Sequence, residues 1–259
     1  MALGKVDAGS DRPVFQQIAD QLREEITRGR LGAGERLPSE AGLMEHYGVA
    51  RMTIRQALQV LKSEGLVVAE HGRGVFVRPR PVARRLGSDR FDRRHRQAGD
   101  AAFVADAKAA GQTYTVDNLR ITREKPSETI AELLGVDRRR KNVVVRRRRY
   151  LLDGHPIELA ASYIPVEIAA GTKIEEPDTG PGGIYARMEE QGFTFGPFHE
   201  DIRARMPRPD EVTELLMAPG VPVLDLVRVA RDVEGRPLEV CETVMAADSF
   251  VLSYDLPAS

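Results

Sequence analysis

The sequence predicts an α+β protein of two units: a helix-turn-helix closed by a β-hairpin, then a larger unit of strands and helices. Three observations predict it. Two short amphipathic stretches meet at Gly48 and are followed by a glycine-tipped hairpin pattern over residues 67–77. A turn pattern, Asp153-Gly154-His155-Pro156-Ile157-Glu158, recurs 81 residues later as Glu234-Gly235-Arg236-Pro237-Leu238-Glu239. Charge divides with the units. Residues 1–96 hold 18 Lys+Arg against 12 Asp+Glu, and residues 97–259 hold 20 against 27, so a +6 front and a −7 back make the net −1. A basic front suggests that this part meets a polyanion.

The chain has 259 residues, 42% hydrophobic and 30% charged, a globular balance that excludes a disordered or membranous protein. One cysteine, Cys241, excludes an intramolecular disulfide framework and fits a reducing compartment. The opening residues lack the apolar core of a signal peptide, and no stretch is apolar enough to span a bilayer. A cytoplasmic protein without a membrane partner is expected.

After a flexible tail expected over residues 1–12, Pro13 opens a helix carrying Val14, Ile18, Leu22 and Ile26 at helical spacing. Ser39 offers an N-cap to a second helix with Leu43, Met44 and Tyr47, and Gly48 makes the turn. A third helix buries Ile54, Ala57, Leu58 and Leu61 and stops near Gly65. The pattern Val67-Val68-Ala69-Glu70, a His71-Gly72-Arg73-Gly74 tip, and Val75-Phe76-Val77 then read as a hairpin, making residues 13–78 a winged helix-turn-helix.

The apolar stripe of the third helix leaves Arg51, Thr53, Arg55, Gln56 and Gln59 wholly or partly in solvent. Arginine can fork onto guanine O6 and N7, and glutamine onto adenine. Thr53 can bond a phosphate or touch a thymine methyl. Arg51 and Arg55 share one face near the helix's N-terminal end, where recognition helices place their reading residues.

The run GERLPSEAGLMEHYGVARMTIRQALQVLKSEGLVVAEHGRGVFV resembles the GntR family of bacterial regulators along the whole winged-helix domain. It carries Leu37-Pro38-Ser39-Glu40, Gly48-Val49-Ala50-Arg51, Thr53-Ile54-Arg55-Gln56-Ala57-Leu58, Glu64-Gly65-Leu66 and Gly72-Arg73-Gly74 in the family's order. The resemblance implies major-groove contacts from Arg51, Thr53 and Arg55 and minor-groove contacts at Gly72, Arg73 and Gly74. Arg36, Ser39 and Gln56 complete the expected DNA-contact set. Ala41 and Met52 depart from the basic and small polar residues that many members carry at those positions.

Residues 79–96, with two prolines and two basic clusters around Gly87, read as a linker, and 97–259 as the second domain. Helical stretches are expected at 127–134, 183–190 and 209–216, and strands at 142–152, 157–164, 222–231 and 238–246. The recurring turn suggests two pseudo-equivalent halves around a cleft. Strand alternation places Glu158, Ala160 and Ser162 on one face, matched by Glu239, Cys241 and Thr243, a small polar wall that leaves room for a ligand. The alternate face, Ile157, Leu159 and Ala161 with Leu238, Val240 and Glu242, suits packing. In the incoming strands Arg147 is matched with Arg228 and Arg149 with Ala230. Of the four arginines 146–149, two point to each side. One pair can line a cavity and fork onto a carboxylate or phosphate, or both pairs can lie in solvent on an edge strand.

RRRRYLLDGHPIELAASYIP and GVPVLDLVRVARDVEGRPLEV resemble the UTRA effector domain of the HutC subfamily, which has a chorismate-lyase-like fold. The resemblance implies a cleft for a small, often anionic metabolite and favours Arg147, Arg149, Glu158, Ser162 and Glu239 as effector-binding residues. Met245 departs from the polar or aromatic residue common after the second glutamate, and the 86–116 segment is unlike sugar-phosphate sensors, so that ligand class is not implied.

The five histidines show no metal-ligand spacing, and Gly180-Pro181-Gly182-Gly183 lacks the lysine and preceding strand of a phosphate-binding loop. No cofactor, metal or catalytic residue is expected. Glu158 and Glu239 as an acid/base pair would make the alternative, a DNA-tethered enzyme on a lyase-like fold. An architectural DNA binder without a ligand is a third reading. The principal reading is a ligand-responsive regulator, a repressor released from its operator by a metabolite, acting as a homodimer on an inverted repeat of double-stranded DNA.

Overall fold

A computed structural model of the chain describes residues 3–7, 9–79, 83–94, 98 and 112–255. The chain divides into two units, residues 1–82 with 217–221, and residues 83–216 with 222–259.

In the first unit three helices, α1 (Val14–Thr27), α2 (Glu40–Tyr47) and α3 (Arg51–Ser63), precede the antiparallel pair β1 (Val67–Glu70) and β2 (Gly74–Val77). The helices form where the apolar spacing puts them. Ile18 and Leu22 of α1, Leu43 of α2 and Ile54 and Leu61 of α3 meet in one core, closed by Val67 and Val77 of the wing. Ser39 caps α2 by accepting from the Gly42 N–H at 3.1 Å, and Gly48 ends it at φ 65°, where a Cβ would be strained. The tail expected before Pro13 is partly docked, with Leu3 and Val6 packed on this core. The Asp7 N–H also donates to Gln17 at 2.9 Å.

The second unit is built on a six-stranded antiparallel sheet. Its strands are β4 (Tyr114–Glu124), β5 (Val143–Leu152), β6 (His155–Pro165), β7 (His199–Arg205), β8 (Val223–Arg231) and β9 (Pro237–Ala246), in the order β4-β5-β6-β9-β8-β7. Helix α4 (Glu128–Leu134) packs on one face, its Ile130 and Leu134 against Val143, Val145, Val229 and Val240. On the other face α5 (Val166–Ala169) and α6 (Gly183–Glu190) cover Val144, Ile164, Ala230 and Leu238. Helix α7 (Pro209–Glu214) lies between β7 and β8 in the chain.

The internal repeat is therefore larger than the turn that revealed it. Each half runs strand, helix, strand, strand: β4-α4-β5-β6 and β7-α7-β8-β9. The halves join where β6 pairs β9, and Ala161 lies opposite its own repeat mate Glu242. A pseudo-two-fold axis passes through that pair. Strands β4 and β7, which lie outside the expected strand stretches, are the two equivalent edges.

The linker expected over 79–96 has structure where it is described. Arg84–Leu86 forms β3, parallel to β10 (Phe250–Leu252), and Ser88–Phe91 forms a 3-10 turn. Arg84, Leu86 and Arg90 are buried in the second unit. Buried arginines are rare, and these lie against aromatic rings, Arg84 over Tyr114 at 5.3 Å and Arg90 over Phe91 at 4.5 Å. Residues 80–82, 95–97, 99–111 and 256–259, which belong to the expected linker and second domain, lie outside the described residues.

Candidate functional site

The first unit presents α3 beside the wing. Ile54, Ala57, Leu58 and Leu61 are turned into the core, which leaves Arg51, Arg55 and Gln56 exposed and Thr53 half-buried. Arg55 Nε donates to both oxygens of Glu40, each at 3.2 Å, and Arg51 Nε stands 3.8 Å from the same carboxylate. One acid on α2 thus faces both arginines on the exposed side of α3. Exposed Ser39 is spent on its cap, although its hydroxyl hydrogen remains to donate. At the wing, Gly72 and Gly74 have φ 71° and 121°, and Arg73 lies 5.5 Å from the Phe76 ring centroid and pairs with Glu70. Arg36 pairs across to Phe76 by a backbone bridge. A Cβ on Gly74 would sit 2.8 Å from the Arg36 side chain, so Gly74 lets Arg36 reach the wing tip.

In the second unit the sheet face that carries Val144 and Ile164 becomes polar towards the opposite strand ends. There it lines a cavity of about 520 Å³, with Arg146, Arg148, Glu158, Ala160 and Ser162 from one repeat and Arg228, Glu239, Cys241 and Thr243 from the other. Tyr114 and Tyr150, stacked at 5.1 Å, form one wall. Tyr185 of α6, the 177–179 loop and Gly182-Gly183 border another. The glycine run set aside as a phosphate loop thus touches the cavity through its last two residues.

Of the predicted effector-binding residues, Glu158, Ser162 and Glu239 line this cavity. Arg147 and Arg149 do not. Arg147 forks onto Glu124 at 2.7 and 3.0 Å, and Arg149 onto Asp117 at 2.8 and 2.7 Å, where they border a separate groove. The cavity arginines are Arg146 and Arg148, opposite Ser162 and Ala160 in register. The error comes from one residue. Outgoing strands match at an offset of 81, Glu158 with Glu239. The incoming strands match at 80, because Tyr150 pairs Glu158 whereas Ala230 pairs Glu239 across a connection one residue longer. Arg228 is therefore the mate of Arg148 and not of Arg147. A one-residue slip moves every side chain to the opposite face.

The two halves of the cavity are satisfied differently. Arg228 donates from Nε to the Tyr185 hydroxyl at 3.1 Å and stands 3.8 Å from Glu200 and 3.9 Å from Glu239. Glu239 accepts from the Tyr185 hydroxyl at 2.5 Å. In the other half Arg148 donates to Ser162, but its Nε has no partner, and neither oxygen of Glu158, 1% exposed, is hydrogen bonded. Arg146 is spent on the carbonyls of Ile174, Glu176 and Pro177 at 2.6, 2.6 and 3.2 Å.

The electrostatics follow this division. Burial drives the Glu158 carboxyl up to about 7, even though Arg228, Arg84, Arg148 and Arg90 pull the other way. Burial also lowers Arg146 to about 10, with Arg148 adding repulsion. Burial opposes the Arg148 charge, but Tyr150, Cys241, Glu239 and Glu158 outweigh it and leave its pKa raised. Burial pushes the Cys241 thiol up, away from the thiolate a nucleophile needs.

A winged helix-turn-helix and a cavity-bearing sheet unit in one chain define a DNA-binding regulator with a ligand-sensing domain. Comparison with known proteins agrees. Residues 15–77 match the model of bacterial regulatory proteins of the gntR family, and residues 109–251 match the UTRA domain. An HTH-type transcriptional regulator of Streptomyces coelicolor is 34% identical over 250 residues, covering 94% of this chain and 92% of the relative. The HTH-type transcriptional repressor NagR of Bacillus subtilis is 27% identical, covering 96% and 97%. The crystal structure of a GntR-family transcriptional regulator superposes with a TM-score of 0.70 at 29% identity, covering 96% and 99%. PhnF from Mycobacterium smegmatis, at 23% identity and a TM-score of 0.57, covering 93% and 100%, shares the fold. The chain belongs to the GntR family and has the HutC-type architecture, a GntR helix-turn-helix followed by a UTRA domain. It is a transcriptional regulator with an effector-binding domain.

Proposed function

We propose that the effector is a small anion that also carries a hydrogen-bond donor, read by the first-repeat half of the cavity, and that its binding releases the regulator from operator DNA. The observation that carries this is that Arg148 Nε and both oxygens of Glu158, on one wall, have no hydrogen-bond partner. Buried polar groups in native proteins are nearly all hydrogen bonded, so these mark where a partner belongs. Arg148 takes the anionic group with Ser162 beside it, and Glu158 takes the donor. Tyr114 and Tyr150 flank the body of the ligand.

The DNA-reading set is Arg51, Thr53, Arg55 and Gln56 in the major groove, with Arg36, Ser39 and the tip Gly72, Arg73 and Gly74 on the backbone and minor groove. One short recognition helix reads few base pairs, so a homodimer on an inverted repeat supplies the selectivity. The protein works in the cytoplasm as a sensor and not as an enzyme. The committed state of Glu239 supports this, since its bond to Tyr185 takes it out of an acid/base pair with Glu158. Among the described residues no helix is long and apolar enough to cross a membrane. Residues 13–78 form the DNA-binding division, and the effector-binding division takes in residues 84–91 as well as the part after residue 96.

Native mass spectrometry of the protein purified from its own cells tests the reading. A retained small anion present in wild type and absent from Arg148→Gln supports it. Equal retention by both overturns it.

A further inference from the structure

The second half of the cavity poses a separate question. Arg228 and Glu239 are the repeat mates of Arg148 and Glu158, yet Arg228 Nε and one oxygen of Glu239 are already bonded to the Tyr185 hydroxyl, and Arg228 also stands 3.8 Å from Glu200. Arg228 is thus tied to groups outside the Arg148–Glu158 wall, which opens a role for it beyond ligand contact.

The surroundings of Arg228 indicate that role. Its guanidinium lies 4.5 Å from the centroid of the Phe91 ring. Phe91 lines the effector cavity on one side and an adjoining groove of about 610 Å³ on the other. Glu200, 3.8 Å from Arg228, also takes both its oxygens to Arg90 Nη2 at 2.5 Å. Arg90 and Phe91 end the short segment, residues 84–91, with which the chain enters this unit after the winged helix. Arg228 thus grips that segment twice, through an aromatic face and through a shared carboxylate, while also facing the pocket.

We infer that the duplicated cavity has divided its labour: the first repeat's half reads the ligand, and Arg228 in the second is a positioning residue that passes the charge state of the pocket to residues 84–91 through Phe91 and Glu200. This rests on the effector reading given above. The physical basis is that Arg228 and Glu158 share one low-dielectric cavity, so neutralising Glu158 changes what holds Arg228 against Phe91 and Glu200. The segment is covalently continuous with the DNA-binding unit, so a change in its hold biases DNA binding without any new contact.

The test needs no identified effector, because Glu158→Gln at pH 8 neutralises the carboxylate permanently. The full chain is titrated with a duplex that the wild type has selected from a randomised pool. Glu158→Gln is expected to change the affinity at least about fivefold in the wild-type background, the lower end of typical couplings. That change is expected to shrink below about twofold when Phe91→Leu is also present. Glu200→Gln serves as a second background, with circular dichroism confirming the fold of each variant. Hydrogen exchange in Glu158→Gln alone gives a reading free of the second substitution, with altered protection expected across residues 84–91. An equal fold-change in every background, or no change in the wild-type background, overturns the inference. Absence of any retained small molecule in native mass spectrometry would instead sink the effector reading. A retained molecule with an uncoupled cycle sinks only the division of labour.

Discussion

Arg149 forks onto Asp117, with Nε and Nη2 at 2.8 and 2.7 Å from the two carboxylate oxygens, on the sheet face turned away from the effector cavity. The pair joins β5 to the edge strand β4. Asp117 is held below the usual carboxylate range by that bond.

Arg149→Ala is therefore expected to leave effector retention unchanged. The pair is partly exposed, so the loss of stability should be within about 1 kcal/mol. Retained-ligand mass and a denaturant midpoint check both parts; loss of the ligand in this variant would return the pocket to the other face.

The reach of the sequence and its limit both show at this site. The small polar wall of Glu158, Ala160, Ser162, Glu239, Cys241 and Thr243 was legible because two outgoing strands share one turn pattern and one period. The arginine parity was not legible, because the connection between incoming and outgoing strands differs by one residue and that difference appears only in the pairing register. The helices α1 to α3 and the wing could be read because their apolar spacing is strong and a glycine closes each turn. Strand β7, His199–Arg205, escaped notice because an edge strand carries charge where an inner strand would carry valine. The buried arginines 84 and 90 hid the structure of 84–91, since their burial depends in part on residues distant in the chain, Tyr114 for Arg84 and Glu200 for Arg90.

The Glu40 contact bears on DNA reading. Arg51→Ala and Arg55→Ala are each expected to cost about 1–3 kcal/mol of specific binding and to relax selection at one base step. Glu40→Gln frees both arginines from their acid, so it should strengthen binding to random duplex more than to selected duplex. Binding measured against both duplexes decides this; unchanged affinity for both arginine variants would remove α3 from the reading role.

Salt offers a second check of the same face. With arginines at Arg36, Arg51, Arg55 and Arg73 exposed on the first unit, affinity for duplex DNA should fall steeply as salt rises, because counterions return to the phosphates. A nearly flat dependence between low and physiological salt would contradict phosphate anchoring.

The Glu158 carboxyl gives a pH signature. Burial raises it to about 7 in the folded protein, above its value in an unfolded chain. A group shifted in that direction contributes stability that is fully present at low pH and is lost as pH rises through 7, about 3 kcal/mol by the size of the shift. Glu158→Gln cannot ionise. Its stability relative to wild type should therefore increase between pH 5 and pH 8, as read from denaturant unfolding of the full chain; a constant difference would mean Glu158 is ionised throughout.

The central claim is that one wall of the cavity, Arg148 with Glu158, holds the effector. Native mass spectrometry of wild type, Arg148→Gln and Arg149→Ala, each purified from the protein's own cells, tests it most directly. The account predicts one small anion bound to wild type and to Arg149→Ala and lost from Arg148→Gln. An anion lost from Arg149→Ala and kept by Arg148→Gln would contradict it.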